Sequence, residues 1–206
     1  MQLIIKRMAS ATLIIASSFF STMVCAELTP DQLVKQTAED VIAVIKNDKD
    51  IQAGNKQKIY ALTEEKILPN FDFDRVCRLV LGKNWRSATP EQQEVFQKEF
   101  RSLLLRTYST ALGKYKNQTI QYKPFTMDAE SQVATVKTEI IQPSGPPIAV
   151  DYSLSKTEAN WKVFDIVIEN VSLVTNYRSQ FSTEIRQNGL DSLNKKLADK
   201  NRLAGL

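Results

Sequence analysis

The sequence predicts an α+β protein in which helices come first, a twisted antiparallel sheet follows, and helices close the chain. Three observations carry that prediction. Apolar residues recur at helical spacing as far as Gly113, gather in β-branched and aromatic runs from Thr119 to Ile168, and resume helical spacing from Leu173. The links between the β-type runs are short and rich in Pro, Gly, Ser and Asn, so neighbouring strands must be antiparallel. The 206 residues, 43% hydrophobic and 24% charged, have globular proportions and suffice for a real core.

The first stretch reads as a leader and not as structure. Lys6 and Arg7 precede an apolar run from Met8 to Val24, and Val24-Cys25-Ala26 places small residues before a cut at Glu27. Val24 is too large for a lipoprotein signal that would anchor the chain at Cys25. Residues 1–26 are therefore expected to be a cleaved signal peptide of an exported, soluble protein. Residues 27–206 are expected to be one domain, with 27–113 mainly helical and 114–206 holding the sheet and C-terminal helices.

Within that domain, Thr29-Pro30-Asp31-Gln32 starts the first helix, with Leu33, Thr37, Val41, Val44 and Ile45 on one face. A second helix is predicted over about 54–67, stopped by Pro69. Asp72-Phe73-Asp74 opens a short third helix, ended by Gly82. Thr89-Pro90-Glu91-Gln92 repeats the first start signal and leads a long helix to Gly113. Strands are predicted at Thr119–Lys123, Gln132–Ile141, Ile148–Ser155 and Trp161–Ile168, followed by helices at Leu173–Gly189 and from Leu190.

Much familiar chemistry is excluded. Without histidine there is no His base, no His-dependent nucleophile and no His-bearing metal site. Cleavage would leave Cys77 as the one cysteine, so no intramolecular disulfide is available, and its place on an apolar stripe makes it a core residue. Cleavage would also leave 25 basic against 23 acidic residues, which removes the main support for nucleic-acid binding. Asp165 and Asp151 lie in apolar strands. Either would suit a buried general base, but without a partner acid or phosphate loop both read better as structural acids. Arg75, Arg78, Lys83 and Arg86 form a basic cluster, either a solvated face or a rim for anionic head groups or an acidic partner.

Two blocks, Leu68-Pro69-Asn70-Phe71-Asp72-Phe73 and Leu81-Gly82-Lys83-Asn84-Trp85-Arg86-Ser87-Ala88-Thr89-Pro90-Glu91-Gln92, resemble the MlaC family. Phe96 to Tyr108, Val150-Asp151-Tyr152, Trp161-Lys162-Val163-Phe164-Asp165, Val171-Ser172-Leu173, Tyr177-Arg178-Ser179-Gln180-Phe181 and Gly189-Leu190-Asp191-Ser192-Leu193 extend the resemblance over the whole mature chain. Asn170 departs from the glycine that relatives often carry there. The resemblance implies a nuclear-transport-factor-2-like sheet wrapped by helices around a deep apolar pocket, in a periplasmic phospholipid carrier without enzymatic activity or cofactor. It implies phospholipid as cargo, an inner-membrane MCE-domain ABC transporter complex and an outer-membrane lipoprotein–porin complex as partners, and a role in maintaining outer-membrane lipid asymmetry. The carrier is expected to be a monomer that binds no nucleic acid and no metal.

For such a pocket the inward register nominates Val76 and Val80 of the third helix, with Phe96, Phe100, Leu103, Leu104 and Tyr108 of the long helix. It adds Val136, Val150, Tyr152, Val163 and Val167 from the sheet, and Val174, Tyr177 and Phe181 from the helix after it. The basic cluster would flank the mouth. Two other classes stay open: an isomerase or dehydratase with Asp165 or Asp151 as base, and a non-catalytic adaptor with a filled core.

Overall fold

The structure, a computed structural model, describes residues 27–203; the expected signal peptide lies outside the described residues. Helix α1 (Pro30–Asn47) begins where Gln32 Oε1 accepts the Thr29 N–H at 3.1 Å. A short α2 (Lys49–Gln52), capped by Asp48, lies ahead of the predicted second helix. That helix divides into α3 (Lys56–Leu62) and a π-helical turn at Thr63–Ile67, followed by a 3-10 turn at Leu68–Asn70. Pro69 offers no N–H, so an α-ladder cannot continue through it, and the chain changes its winding before the stop.

Helix α4 (Phe73–Leu81) starts where Asp72 accepts the Arg75 N–H at 3.0 Å and ends at Gly82. A further short helix, α5 (Lys83–Ser87), follows at once. Helix α6 (Pro90–Leu112) opens with a complete capping box, because Thr89 and Gln92 each accept the other's backbone N–H.

Five strands, β1 (Thr119–Tyr122), β2 (Val133–Ile141), β3 (Ile148–Lys156), β4 (Trp161–Ile168) and β5 (Val171–Ser172), form one antiparallel meander in chain order. Strand β5 is absent from the sequence reading. It follows a two-residue turn in which Glu169 and Asn170 have φ of 48° and 64°, both left-handed, the geometry that hairpin turns of the I′ type demand. Asn tolerates that geometry, and Glu169 is held because its side chain accepts the Ala149 N–H at 2.6 Å. Helices α7 (Leu173–Asn188) and α8 (Leu190–Leu203) complete the chain.

Strand β2 alternates exposed Val133, Thr135 and Lys137 with buried Ala134, Val136 and Thr138, so one sheet face meets water and the other meets helices. Three apolar clusters build the interior. Helices α4 to α8 share one cluster, centred on Phe96 and Phe100 of α6 and Tyr177 and Phe181 of α7, whose contacting rings have centroids 5.1–5.8 Å apart. The inner sheet face packs with the start of α1 around Leu154 and Val136, and the end of α1 packs with α2, α3 and the end of α6. The space among these clusters is not filled.

Candidate functional site

That space is an apolar cavity of about 330 Å³. Val76 and Val80 of α4, Phe100, Leu104 and Tyr108 of α6, and Val174 and Tyr177 of α7 form its helical walls. Val150, Tyr152, Ile166 and Ile168 form the sheet wall, and Ile67, Leu68, Phe71 and Phe73 close the side nearest the π-helical turn. A second cavity, about 480 Å³, lies along α1 beside Leu33, Thr37, Val41 and Ile45. Ile67, Phe71, Leu112, Ile140, Tyr152 and Ile166 border both, so a single layer of side chains divides two apolar chambers.

Polar groups on these walls are largely engaged with the protein itself. Asp165 accepts the Ser172 hydroxyl at 2.5 Å and the Val174 N–H at 3.0 Å. Thr63 donates its hydroxyl to the Ile59 carbonyl, and Arg101 reaches out to Glu64 at 3.3 Å. Burial pushes the Tyr152 hydroxyl up to about 12, and burial with the adjacent Tyr177 raises that of Tyr108 well above the ordinary phenol range. Both stay neutral at physiological pH. Cys77 is fully buried, and burial followed by the charge of Asp74 drives its thiol far above the usual range, which removes the reactive thiolate. Among the described residues, no group of three or more Cys, Asp or Glu is placed to hold a metal ion, and no helix is long and apolar enough to cross a membrane.

Nine of the fifteen nominated wall residues border the first cavity: Val76, Val80, Phe100, Leu104, Tyr108, Val150, Tyr152, Val174 and Tyr177. Val163 borders the second, a chamber that the apolar face of α1 does not announce in sequence because the same spacing serves packing. The other five need correction. Phe96 and Phe181 are spent in the aromatic stack beneath the cavity, and Leu103 packs against the same helical core. Val136 has the expected inward face but is consumed in the cluster under the sheet.

Val167 fails for a different reason. Ser153 pairs with Asp165 while Leu154 pairs with Val163, so Phe164 is an extra residue that bulges β4. One extra residue exchanges the two faces, and Ile166 and Ile168 reach the cavity in place of Val167.

The basic cluster is part of the same architecture. Arg75 lies over the Phe164 ring, 4.0 Å from its centroid, and Phe164 borders the cavity. Arg78 pairs with Asp74 at 2.6 Å and lies 5.6 Å from the Trp85 centroid, while Lys83 and Arg86 are exposed. Asp151 is half-buried and paired in register with Lys137 on β2 and Val167 on β4.

Comparison with known proteins meets the same fold. The family model described as MlaC protein matches residues 35–199. The toluene tolerance protein ttg2D of Pseudomonas putida is 27% identical over 180 residues, covering 87% of this chain and 83% of the relative. The intermembrane phospholipid transport system binding protein MlaC of Haemophilus influenzae is 25% identical over 185 residues, covering 88% and 86%. A solved structure of the phospholipid-binding protein from Ralstonia solanacearum, in complex with a phospholipid, is 38% identical with a TM-score of 0.82. It matches 87% of this chain and 100% of its own.

Proposed function

The chain belongs to the MlaC family, and from that premise we propose that it is a phospholipid carrier that holds acyl tails in its paired apolar chambers. The observation that carries the reading is the pair of adjoining cavities of about 330 and 480 Å³, divided by one side-chain layer and walled almost wholly by apolar groups. Helices and sheet surround an apolar interior that a filled core would have closed, which counts against a simple adaptor. The isomerase or dehydratase reading loses its best base, since Asp165 is engaged by Ser172 and Val174.

The energetics favour a protein that encloses tails and leaves the head group outside. A diacyl lipid crossing water exposes about thirty methylenes at roughly 0.8 kcal/mol each, or about 24 kcal/mol. Spontaneous release into water is therefore negligible, and unloading takes place against an acceptor. As the soluble member of its system, the protein would work in the periplasm between an outer-membrane lipoprotein–porin complex and an inner-membrane MCE-domain ABC transporter, keeping the outer membrane asymmetric. Transfer of fluorescent phospholipid between two populations of immobilised vesicles tests the activity. Lipid moves in proportion to protein concentration if the reading holds, and transfer no faster than the protein-free rate overturns it.

A further inference from the structure

The basic cluster extends beyond its own stretch of chain. Gly82 has φ +57° and ψ −123°, and a Cβ at that position would meet Arg178 Nη2 at 3.1 Å and Nε at 3.3 Å. The bare backbone of Gly82 thus gives the α7 guanidinium its resting place. Arg75 rests on Phe164 and Arg78 beside Trp85. Three arginines from two helices are braced on rings or backbone, and Lys83 and Arg86 continue the strip. Among the described residues, Asp74 is the one carboxylate within 4.0 Å of any of these five cations. In a mature chain close to neutral, this strip is a concentrated local surplus of positive charge.

We propose that the strip formed by Arg75, Arg78, Lys83, Arg86 and Arg178 is a docking face for a carboxylate-rich surface of a partner protein. The proposal rests on the carrier reading only in that a carrier must meet its acceptors. Guanidinium forks match carboxylates in a bidentate manner, and braced side chains lose little further freedom on binding. A bilayer surface is the poorer fit. Among the described residues, the exposed large apolar side chains are Leu28, Val95, Val133, Val171 and Leu203, and none lies on α4, α5 or α7, so the strip has nothing to insert among acyl chains. The same α4 that carries Arg75 and Arg78 walls the cavity with Val76 and Val80, and the Phe164 ring under Arg75 is cavity wall too. A partner that grips Arg75 acts one side-chain layer from the cargo.

The test uses the mature full-length chain, a labelled polyglutamate peptide as probe, and phosphatidylglycerol vesicles as the competing surface. Two variants alter the strip: Lys83→Glu with Arg178→Glu, and Lys83→Glu with Arg86→Glu, the second confined to exposed side chains without braces. A control of equal charge change is Lys56→Glu with Lys195→Glu, on α3 and α8. Both strip variants should weaken peptide binding about tenfold or more, the control should match the parent, and added salt should weaken the parent. Equal weakening in strip and control variants overturns the proposal, as does tighter binding of the parent to the vesicles than to the peptide. Phospholipid extracted from the same preparations separates the two readings. Lipid retained with peptide binding lost supports the docking face, whereas a parent that lacks lipid counts against the carrier and leaves the peptide result to judge the strip.

Discussion

The carboxylate of Asp165 accepts the backbone N–H of Val174 at 3.0 Å, so an acid from β4 fills the N-terminal end of α7. Its second oxygen takes the Ser172 hydroxyl, and Ser172 in turn accepts the Thr175 N–H at 3.0 Å. Two orphan donors of the first helical turn are satisfied by one strand residue and one cap. An acid that looks catalytic in sequence is therefore a clamp joining sheet and helix at the cavity wall.

Replacing Asp165 with Asn should destabilise the protein by about 1–3 kcal/mol, the usual loss for a partly buried hydrogen-bonding group. Urea unfolding measures the cost, and phospholipid extracted per protein should be unchanged. A stable Asp165→Asn protein that keeps its lipid yet loses a small-molecule turnover would make this residue a base.

The bulge at Phe164 gives a sharp test of which β4 face meets the cargo. Ile166→Gln should lower bound phospholipid severalfold, because it sets an unpaired amide in the layer between the two chambers. Val167→Gln, one residue on, should leave the lipid content as it is. The reverse pattern would restore the register that the sequence alone suggests.

That pair of residues also marks where the sequence stopped being informative. Capping boxes at Thr29 and Thr89, the stop at Gly82 and the first four strands rest on local chemistry and were legible residue by residue. The bulge was not, since Phe164 continues an apolar run and only the pairing of Ser153 and Leu154 reveals the extra residue. Periodicity gives each helix an inward face but does not divide that face between core and cavity. Phe96 and Phe100 lie on one stripe of α6, yet the first ends in the aromatic stack and the second also reaches the cavity wall. The chamber beside α1 was missed on the same ground, because Val41 and Ile45 serve both packing and cavity. Arg178 lies 96 residues from Gly82, and no sequence pattern joins them.

Gly82→Ala should cost about 1–3 kcal/mol. The substitution must hold a left-handed φ and also displace the Arg178 guanidinium. The companion variant Arg178→Ala removes the second cause alone, so the excess loss in Gly82→Ala over that control measures the backbone strain. Equal urea midpoints for the Gly82 variant and the parent would contradict the geometry.

Helices α6 and α8 are joined by two asparagines a heptad apart. Asn194 donates to the Gln92 carbonyl at 3.0 Å, and Asn201 donates to the Glu99 carbonyl at 2.9 Å and carboxylate at 2.8 Å. Both amide oxygens are buried without a partner. This seam fixes register at a cost in stability, as polar core positions do in coiled coils. Asn194→Leu should therefore be neutral or up to about 1 kcal/mol more stable by urea unfolding, and a large loss would show that the amide outweighs its orphaned oxygen.

Acid should loosen the junction of α7 and α8. Lys196 first, then Asn188, hold the Glu184 carboxyl below its usual range, at 2.7 and 2.8 Å. A depressed folded-state value contributes stability above the unfolded value and loses it as pH falls through the folded one. Hydrogen exchange at this junction should accelerate as pH drops from about 5 to 3, beyond the intrinsic change. In Glu184→Gln the junction should be less protected at neutral pH and lack that step. Identical profiles for variant and parent would leave the bond without consequence.

Whether the adjoining chambers hold phospholipid tails is read most directly by native mass spectrometry of the purified protein. The protein mass should be raised by whole phospholipid molecules, released as intact lipid on activation, with occupancy sharply reduced in Leu104→Asn while circular dichroism stays that of the parent. A parent protein found only at its apo mass after gentle purification, and still unloaded after incubation with phospholipid vesicles, would contradict it.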